Sequence, residues 1–181
     1  MQTGTARTGT AIYSARRELM QAWGSWLSSK WDWDWFVTLT FRDPATDNPY
    51  WTKIGWAYAK NAWRGFVRAL GQQAGEIYWF RATEFQRWRG VPHFHALVGG
   101  VGKLRRDEAW SWWFERYGFA RILPYDPTKG AGYYLCKYVT KELGDIEFSK
   151  NAEKFLKKGL DIREQSAMLS TQIGEKNGCC L

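Results

Sequence analysis

Cysteine is scarce in this chain, with only three among its 181 residues. They are Cys136, Cys179 and Cys180, and no two of them form a Cys-x-x-Cys pair. Three cysteines at this spacing are too few for a disulfide framework, and a zinc site built from cysteine alone is excluded. Such usage is typical of a reducing compartment, so we expect a cytoplasmic protein.

Long apolar runs are also missing. No stretch reaches the length of a membrane span, and the opening MQTGTARTGT lacks the apolar centre of a signal peptide. We therefore expect no membrane partner. A phosphate-binding loop is missing as well, because GGVGK at 99–103 has Leu97 where the pattern needs glycine and Leu104 where it needs serine or threonine.

Aromatic and basic residues are abundant instead. Aromatics make up 18% of the chain and include thirteen tryptophans, while the formal net charge is +8. We expect most of the tryptophans to pack in the core and a minority to stack on nucleobases. A basic globular domain favours a polyanionic partner, nucleic acid before membrane.

Apolar periodicity and turn signals divide the chain into alternating elements. The patterns predict helices at 12–29, 51–70, 107–118 and 131–143, and strands at 35–41, 77–85, 91–99 and 119–125. After the first helix this order is β-α-β-β-α-β, which predicts an α+β, ferredoxin-like (RNA-recognition-motif-like) fold with a central antiparallel sheet flanked by helices. We expect a flexible segment at 1–10, one domain at 11–145, and a partly disordered helix or tail at 146–181.

Both histidines of the chain lie in one strand, in the segment PHFH at 92–95. Because strand residues two apart share a face, His93 and His95 should project side by side and are able to hold one metal ion. The preceding strand returns as a hairpin partner and brings Glu84 close to them, which predicts a Glu–His–His site. Alternatively, Glu84 is a surface carboxylate paired with Arg81 or Arg87.

The segment YYLCKYVTK at 133–141 combines phenols with ammonium groups on one predicted helix. Tyr134 and Tyr138 are four residues apart and share a face with Lys141, while Lys137 lies beside them. A nearby ammonium stabilises a phenolate, which makes tyrosine a usable nucleophile toward a phosphodiester. The alternative is an ordinary amphipathic helix with buried tyrosines and solvated lysines.

Taken together, these motifs resemble the HUH endonucleases, a superfamily that includes the rolling-circle replication initiators of phages, plasmids and small viruses. The resemblance covers roughly residues 35–142 and has three parts in the family's order. They are the strand FVTLTF, the segment PHFH preceded by an acidic residue, and a Tyr-x-x-Lys-Tyr helix like that of the phage initiators.

The resemblance implies a site-specific endonuclease that nicks and rejoins single-stranded origin DNA. Glu84, His93 and His95 would hold Mn²⁺ or Mg²⁺ against the scissile phosphate. Tyr134 would attack to give a 5′-phosphotyrosine and a free 3′-hydroxyl, and Tyr138 would serve in strand closure. Lys137 matches the motif lysine that places the phosphate or stabilises charge. Tyr133 remains an alternative nucleophile.

Further residues are candidates for contacts with DNA. Thr38 and Thr40 share a polar strand face, although both are also ordinary β-formers. Cationic and aromatic side chains at the hairpin tip and on the tyrosine helix suit single-stranded DNA, with a solvated turn as the alternative for the tip. These candidates are Arg87, Trp88, Arg89 and Lys141.

Other functions remain open beside the initiator. One alternative is a transposase or mobilisation relaxase of the same superfamily, with the same chemistry. A more distant alternative is a non-catalytic domain that binds RNA or single-stranded DNA, although the aromatic strand signature of such domains is missing. An initiator without an ATPase motif would depend on the helicase and polymerase of its host cell.

Overall fold

A computed structural model describes residues 5–42, 54–85, 90–130 and 146–157 of the chain. Its elements, in chain order, are α1 (Thr5–Lys30), β1 (Trp35–Thr40), α2 (Trp56–Ala74), β2 (Tyr78–Phe85), β3 (Pro92–Gly99), α3 (Arg106–Arg116), β4 (Ala120–Pro124), β5 (Ile146–Phe148) and a 3-10 helix at Ala152–Phe155. The strands pair antiparallel in the order β4-β1-β3-β2-β5. The predicted α+β sheet with flanking helices is confirmed.

One face of the sheet is covered by α2 and α3. Val37 and Leu39 of β1 are completely buried in this layer. From α2, an apolar stripe at helical spacing packs onto it, consisting of Ala59, Ala62, Trp63, Phe66 and Leu70. Burying a side chain of valine or leucine size stabilises the fold by about 1.5–3 kcal/mol. This helix-covered face is therefore the larger of the two hydrophobic layers.

The opposite face is apolar at one end only. There the C-terminal end of α1 packs Leu27 and Trp31 into a cluster with Phe36, Phe80 and Leu97 of the sheet. The Trp31 indole N–H donates a hydrogen bond of 2.8 Å to the carbonyl of Ala152, which ties the 3-10 helix to α1. Polar side chains occupy the other end of this face.

Tryptophan serves the two hydrophobic layers throughout the described residues. Fully buried are Trp31, Trp33, Trp35, Trp63 and Trp113, and partly buried are Trp23, Trp26, Trp56, Trp79, Trp110 and Trp112. None of these is an exposed large hydrophobic residue. The structure therefore supports core packing for them, and the exposed aromatic rings of the described residues belong to phenylalanine and tyrosine.

A buried arginine links the helix-covered face to the edge strand. The Arg81 side chain is only 1% exposed, and its Nη2 atom donates to Oε2 of Glu147 at 2.6 Å. Lys60 of α2 lies 3.5 Å from the other carboxylate oxygen. The guanidinium also lies over aromatic rings, 4.7 Å from the centroid of Phe94 and 5.4 Å from that of Trp63. This cluster joins β2, β3, β5 and α2.

Two boundaries differ from the sequence expectation. The first helix begins at Thr5, inside the segment 1–10 expected to be flexible. Residues 146–148 form strand β5 on the edge of the sheet, where a helix or tail was expected. Three residues are too few to show periodicity, and their pairing with β2 is a long-range contact. The predicted helix at 131–143 and residues 158–181 lie outside the described residues.

None of the helices in the described ranges combines the length and the apolar character needed to cross a membrane.

Candidate active site

The polar end of the open face is built from three adjacent strands. In the pairing of β1 with β3, Thr38 lies opposite His95 and Thr40 opposite His93. In the pairing of β3 with β2, Glu84 lies opposite His93. Directly opposed residues of antiparallel strands point to the same face. The predicted alternation therefore brings both imidazoles, both hydroxyls and the carboxylate together on one side of the sheet.

Each imidazole is anchored by a threonine of the neighbouring strand. Nδ1 of His95 lies 3.2 Å from Oγ1 of Thr38, and Nδ1 of His93 lies 3.3 Å from Oγ1 of Thr40. The His95 ring also stacks on Phe36, with 11° between the ring planes. A histidine whose Nδ1–H donates to such a partner keeps its Nε2 lone pair for another ligand. The threonines thus fix the ring orientations.

Glu84 lies beside the second nitrogen of the histidine pair. Its Oε2 atom is 3.6 Å from Nε2 of His95, and its side chain is 28% exposed. Arg81 is excluded as its partner, because Arg81 points to the helix-covered face and pairs with Glu147. Glu84 therefore faces the imidazoles while remaining accessible from solvent. Arg87, the other suggested partner, lies outside the described residues.

His93 has the properties of an available ligand. Its Nε2 atom is buried and has no hydrogen-bond partner within the described residues. Burial lowers the pKa of His93 below the usual value for histidine, and the nearby charge of Glu84 only partly opposes this effect. The lowered pKa favours the neutral imidazole, which is the form that binds a metal. A buried ring nitrogen without a partner points to a ligand at this position.

The donor set fits a divalent cation, although its side chains are not drawn together around one point. Among the described residues, no group of three or more His, Cys, Asp or Glu side chains is arranged to hold a metal. The separation of 3.6 Å between Glu84 and His95 nonetheless approaches the distance of about 3–3.5 Å between two ligands of one ion at bonds of about 2.1 Å. One carboxylate with two neutral imidazoles suits Mn²⁺ in particular.

The remaining sequence-predicted site residues are not placed by the structure. Arg87, Trp88 and Arg89 of the hairpin tip lie outside the described residues, as do Tyr133, Tyr134, Lys137, Tyr138 and Lys141 of the tyrosine helix. Their roles stay predictions. Of the predicted site, the structure brings together the five residues of the sheet.

Strand β4 adds a residue that the sequence analysis did not select. Arg121 lies opposite Thr38 in the pairing of β1 with β4, and its side chain is exposed. Arg121 therefore belongs to the same cross-strand row as Thr38 and His95. The available signal was the alternation in FARIL, where Ala120 and Ile122 face the buried layer and their neighbours face the other side.

The fold and this polar sheet face define a replication-type α+β domain with a histidine-pair site. The chain belongs to the family described as Replication-associated protein ORF2, whose model matches residues 34–143. That range contains β1 to β4, the histidine pair, Glu84 and the tyrosine segment. Family membership supports a rolling-circle replication initiator type, with a role in DNA replication and endonuclease activity in general. Neither a curated protein nor a solved structure matches the chain.

Proposed function

We propose that this protein is a site-specific, divalent-metal-dependent endonuclease that nicks and rejoins single-stranded origin DNA and so initiates rolling-circle replication. The observation that carries the proposal is the pair of threonine-anchored imidazoles facing Glu84 on the open sheet face. Family membership supports the replication role. The net charge of +8 is complementary to a DNA substrate.

The sheet residues have distinct tasks in this proposal. Glu84, His93 and His95 hold Mn²⁺ or Mg²⁺, which when bound polarises the scissile phosphate. Thr38 and Thr40 hold the two rings in the tautomer that presents Nε2. Burial keeps His93 neutral, and the partial exposure of Glu84 leaves room for the phosphate to approach.

The tyrosine helix supplies the nucleophile. The phenol oxygen of Tyr134 attacks phosphorus, the bond from phosphorus to the 3′-oxygen breaks, and the phenol proton ends on that leaving oxygen. The products are a 5′-phosphotyrosine and a free 3′-hydroxyl, which a host polymerase extends after a host helicase has opened the duplex. Lys137 stabilises the negative charge, and Tyr138 attacks in the strand-closing step.

Metal removal tests the proposal directly. With a single-stranded oligonucleotide from the native replicon, we expect cleavage and covalent attachment to the 5′ end of the downstream fragment only when Mn²⁺ or Mg²⁺ is added, and none in chelator. Because imidazole ligands suit Mn²⁺ better than the oxygen-preferring Mg²⁺, Mn²⁺ should act at lower concentration. Denaturing gels report both the cut and the adduct.

The double variant His93→Ala with His95→Ala is the matched control for that experiment. It should lose cleavage at every metal concentration while still binding the oligonucleotide. Normal cleavage by this variant in metal-free buffer would remove the metal from the proposal. A wild-type protein that binds but never cuts, whatever the metal, would instead be a non-catalytic binding domain.

The threonine anchor is tested by Thr40→Val, which removes the hydroxyl at nearly constant volume. We expect the affinity for Mn²⁺, measured by calorimetry, to fall roughly ten- to hundredfold because His93 loses its fixed orientation. Thr40→Ser should restore it. Thr83→Val is the matched control, since Thr83 is buried on the other face and its hydroxyl has no partner among the described residues. Equal affinity in Thr40→Val and wild type would contradict the anchoring role.

A further inference from the structure

Strand β4 carries a cationic side chain on the same face as the histidine pair. Arg121 lies opposite Thr38, and Thr38 lies opposite His95, so these three residues form one row across β4, β1 and β3. At about 4.8 Å between adjacent strands, Arg121 begins roughly 10 Å from His95. Its exposed side chain has no ion pair with the acidic residues of the described ranges. An exposed guanidinium beside a phosphodiester site is suited to phosphate.

An exposed phenyl ring stands next to Arg121 at the start of the same strand. Phe119 is 55% exposed, the highest value among the exposed large hydrophobic residues of the described part of the chain. The backbone N–H of Thr40 donates to the carbonyl of Phe119 at 2.8 Å, which continues the register of β1 and β4 by one residue. Phe119 therefore lies in the row of Thr40, His93 and Glu84.

The backbone before Phe119 is shaped to hold it there. Gly118 has φ of 147°, and a Cβ at this position would clash with the backbone nitrogen of Arg42. Only glycine allows the chain to pass so close to the end of β1. Ala120, the residue after Phe119, is buried in the helix-covered layer. Because strand residues alternate, Phe119 is directed to the open face.

Phe119 contributes to neither hydrophobic layer, although the fold buries other rings of its size. The described tryptophans are all buried or half-buried, so they offer no free ring beside the histidines. A bare phenyl group and an arginine two residues apart match the pattern of single-strand binding surfaces, where aromatic faces stack on bases and cations bind the backbone. The proximity of the predicted catalytic face favours DNA over a protein partner.

We propose that Phe119 and Arg121 form a platform for the single-stranded DNA that flanks the scissile phosphate. Phe119 stacks on one nucleobase, and Arg121 binds a backbone phosphate next to it. The platform rests on the proposed function, because it takes its substrate from the adjoining metal site. It positions the strand and takes no part in the bond-breaking step.

The test measures binding without catalysis. A fluorescent single-stranded oligonucleotide of mixed sequence is titrated in chelator, and anisotropy gives the affinity. Phe119→Ala should weaken binding roughly five- to hundredfold through the lost stacking, and Phe119→Trp should retain it. Arg121→Gln should lower the slope of log affinity against log salt by about 0.7, and Arg121→Lys should keep the slope.

Matched controls lie on the helices of the other face. Phe114→Ala removes a 39% exposed ring of α3, and Arg68→Gln removes an exposed charge of α2; both should leave affinity and salt slope unchanged. Controls that weaken binding as much as the β4 variants would overturn the platform. Wild-type affinity in Phe119→Ala and Arg121→Gln, with intact cleavage by the wild type, would sink the platform alone. A wild type that neither binds nor cuts single strands would overturn the proposed function as well.

Discussion

Replacing Tyr134 with phenylalanine is expected to abolish the covalent protein–DNA adduct while leaving DNA binding close to that of the wild type. The substitution removes one oxygen atom, and with it the group that attacks phosphorus. Loss of a nucleophile typically lowers the rate by at least about a thousandfold. The adduct is measured on a denaturing gel, and mass spectrometry of the tyrosine-linked peptide identifies the attached residue.

The neighbouring phenols are the controls for this variant. Tyr138→Phe should still form the first adduct and should be impaired in rejoining, because we assign Tyr138 to strand closure. Tyr133→Phe should behave as the wild type. Adduct formation by Tyr134→Phe together with its loss in Tyr133→Phe would move the nucleophile to Tyr133 and leave the metal site untouched.

Glu147→Ala is expected to destabilise the protein by roughly 3 kcal/mol, the lower end of the range for breaking a buried ion pair. The reason is that the buried guanidinium of Arg81 would lose the carboxylate at 2.6 Å while its rings remain in place. We take the lower end because the Glu147 side chain is 38% exposed and water screens part of the attraction. For a chain of this size, that loss lowers the melting temperature by roughly 6–12 °C.

A second substitution separates charge from packing. If the uncompensated charge of Arg81 causes the loss, the double variant Arg81→Met with Glu147→Ala should recover much of the stability, because methionine fills the aromatic cluster without a charge. Asp107→Asn is a surface control, since Arg105 and Asp107 are both well exposed, and it should leave the unfolding transition unchanged. A double variant less stable than Glu147→Ala alone would show that packing dominates.

Much of the sheet was predictable from local pattern. Alternation in the segments around Val37 and His93 specifies both strands and their faces, because one face must be buried. The spacing of His93 and His95, with a short hairpin back to Glu84, then determines which side chains meet. Strand register follows from these same constraints.

Long-range pairings were less accessible. Strand β5 has only three residues, and its position depends on the ion pair of Glu147 with Arg81, which lies 66 positions earlier. Arg81 was considered as a partner for Glu84, but residues three apart on a strand point to opposite faces. The threonine–histidine hydrogen bonds depend on the pairing of β1 with β3, which adjacency in sequence does not reveal.

The ordering of the open face has a practical consequence for altering this protein. Ligands and anchors come from three strands in register, so inserting one residue within β2 upstream of Glu84 would turn its carboxylate to the helix-covered side and disable the centre without removing any ligand. Such a frame-shifted strand offers a dead variant that keeps the full ligand set, useful wherever residue loss and geometric loss must be told apart. Substitutions among the residues beneath α2, in contrast, can be used to tune thermal tolerance independently of the chemistry.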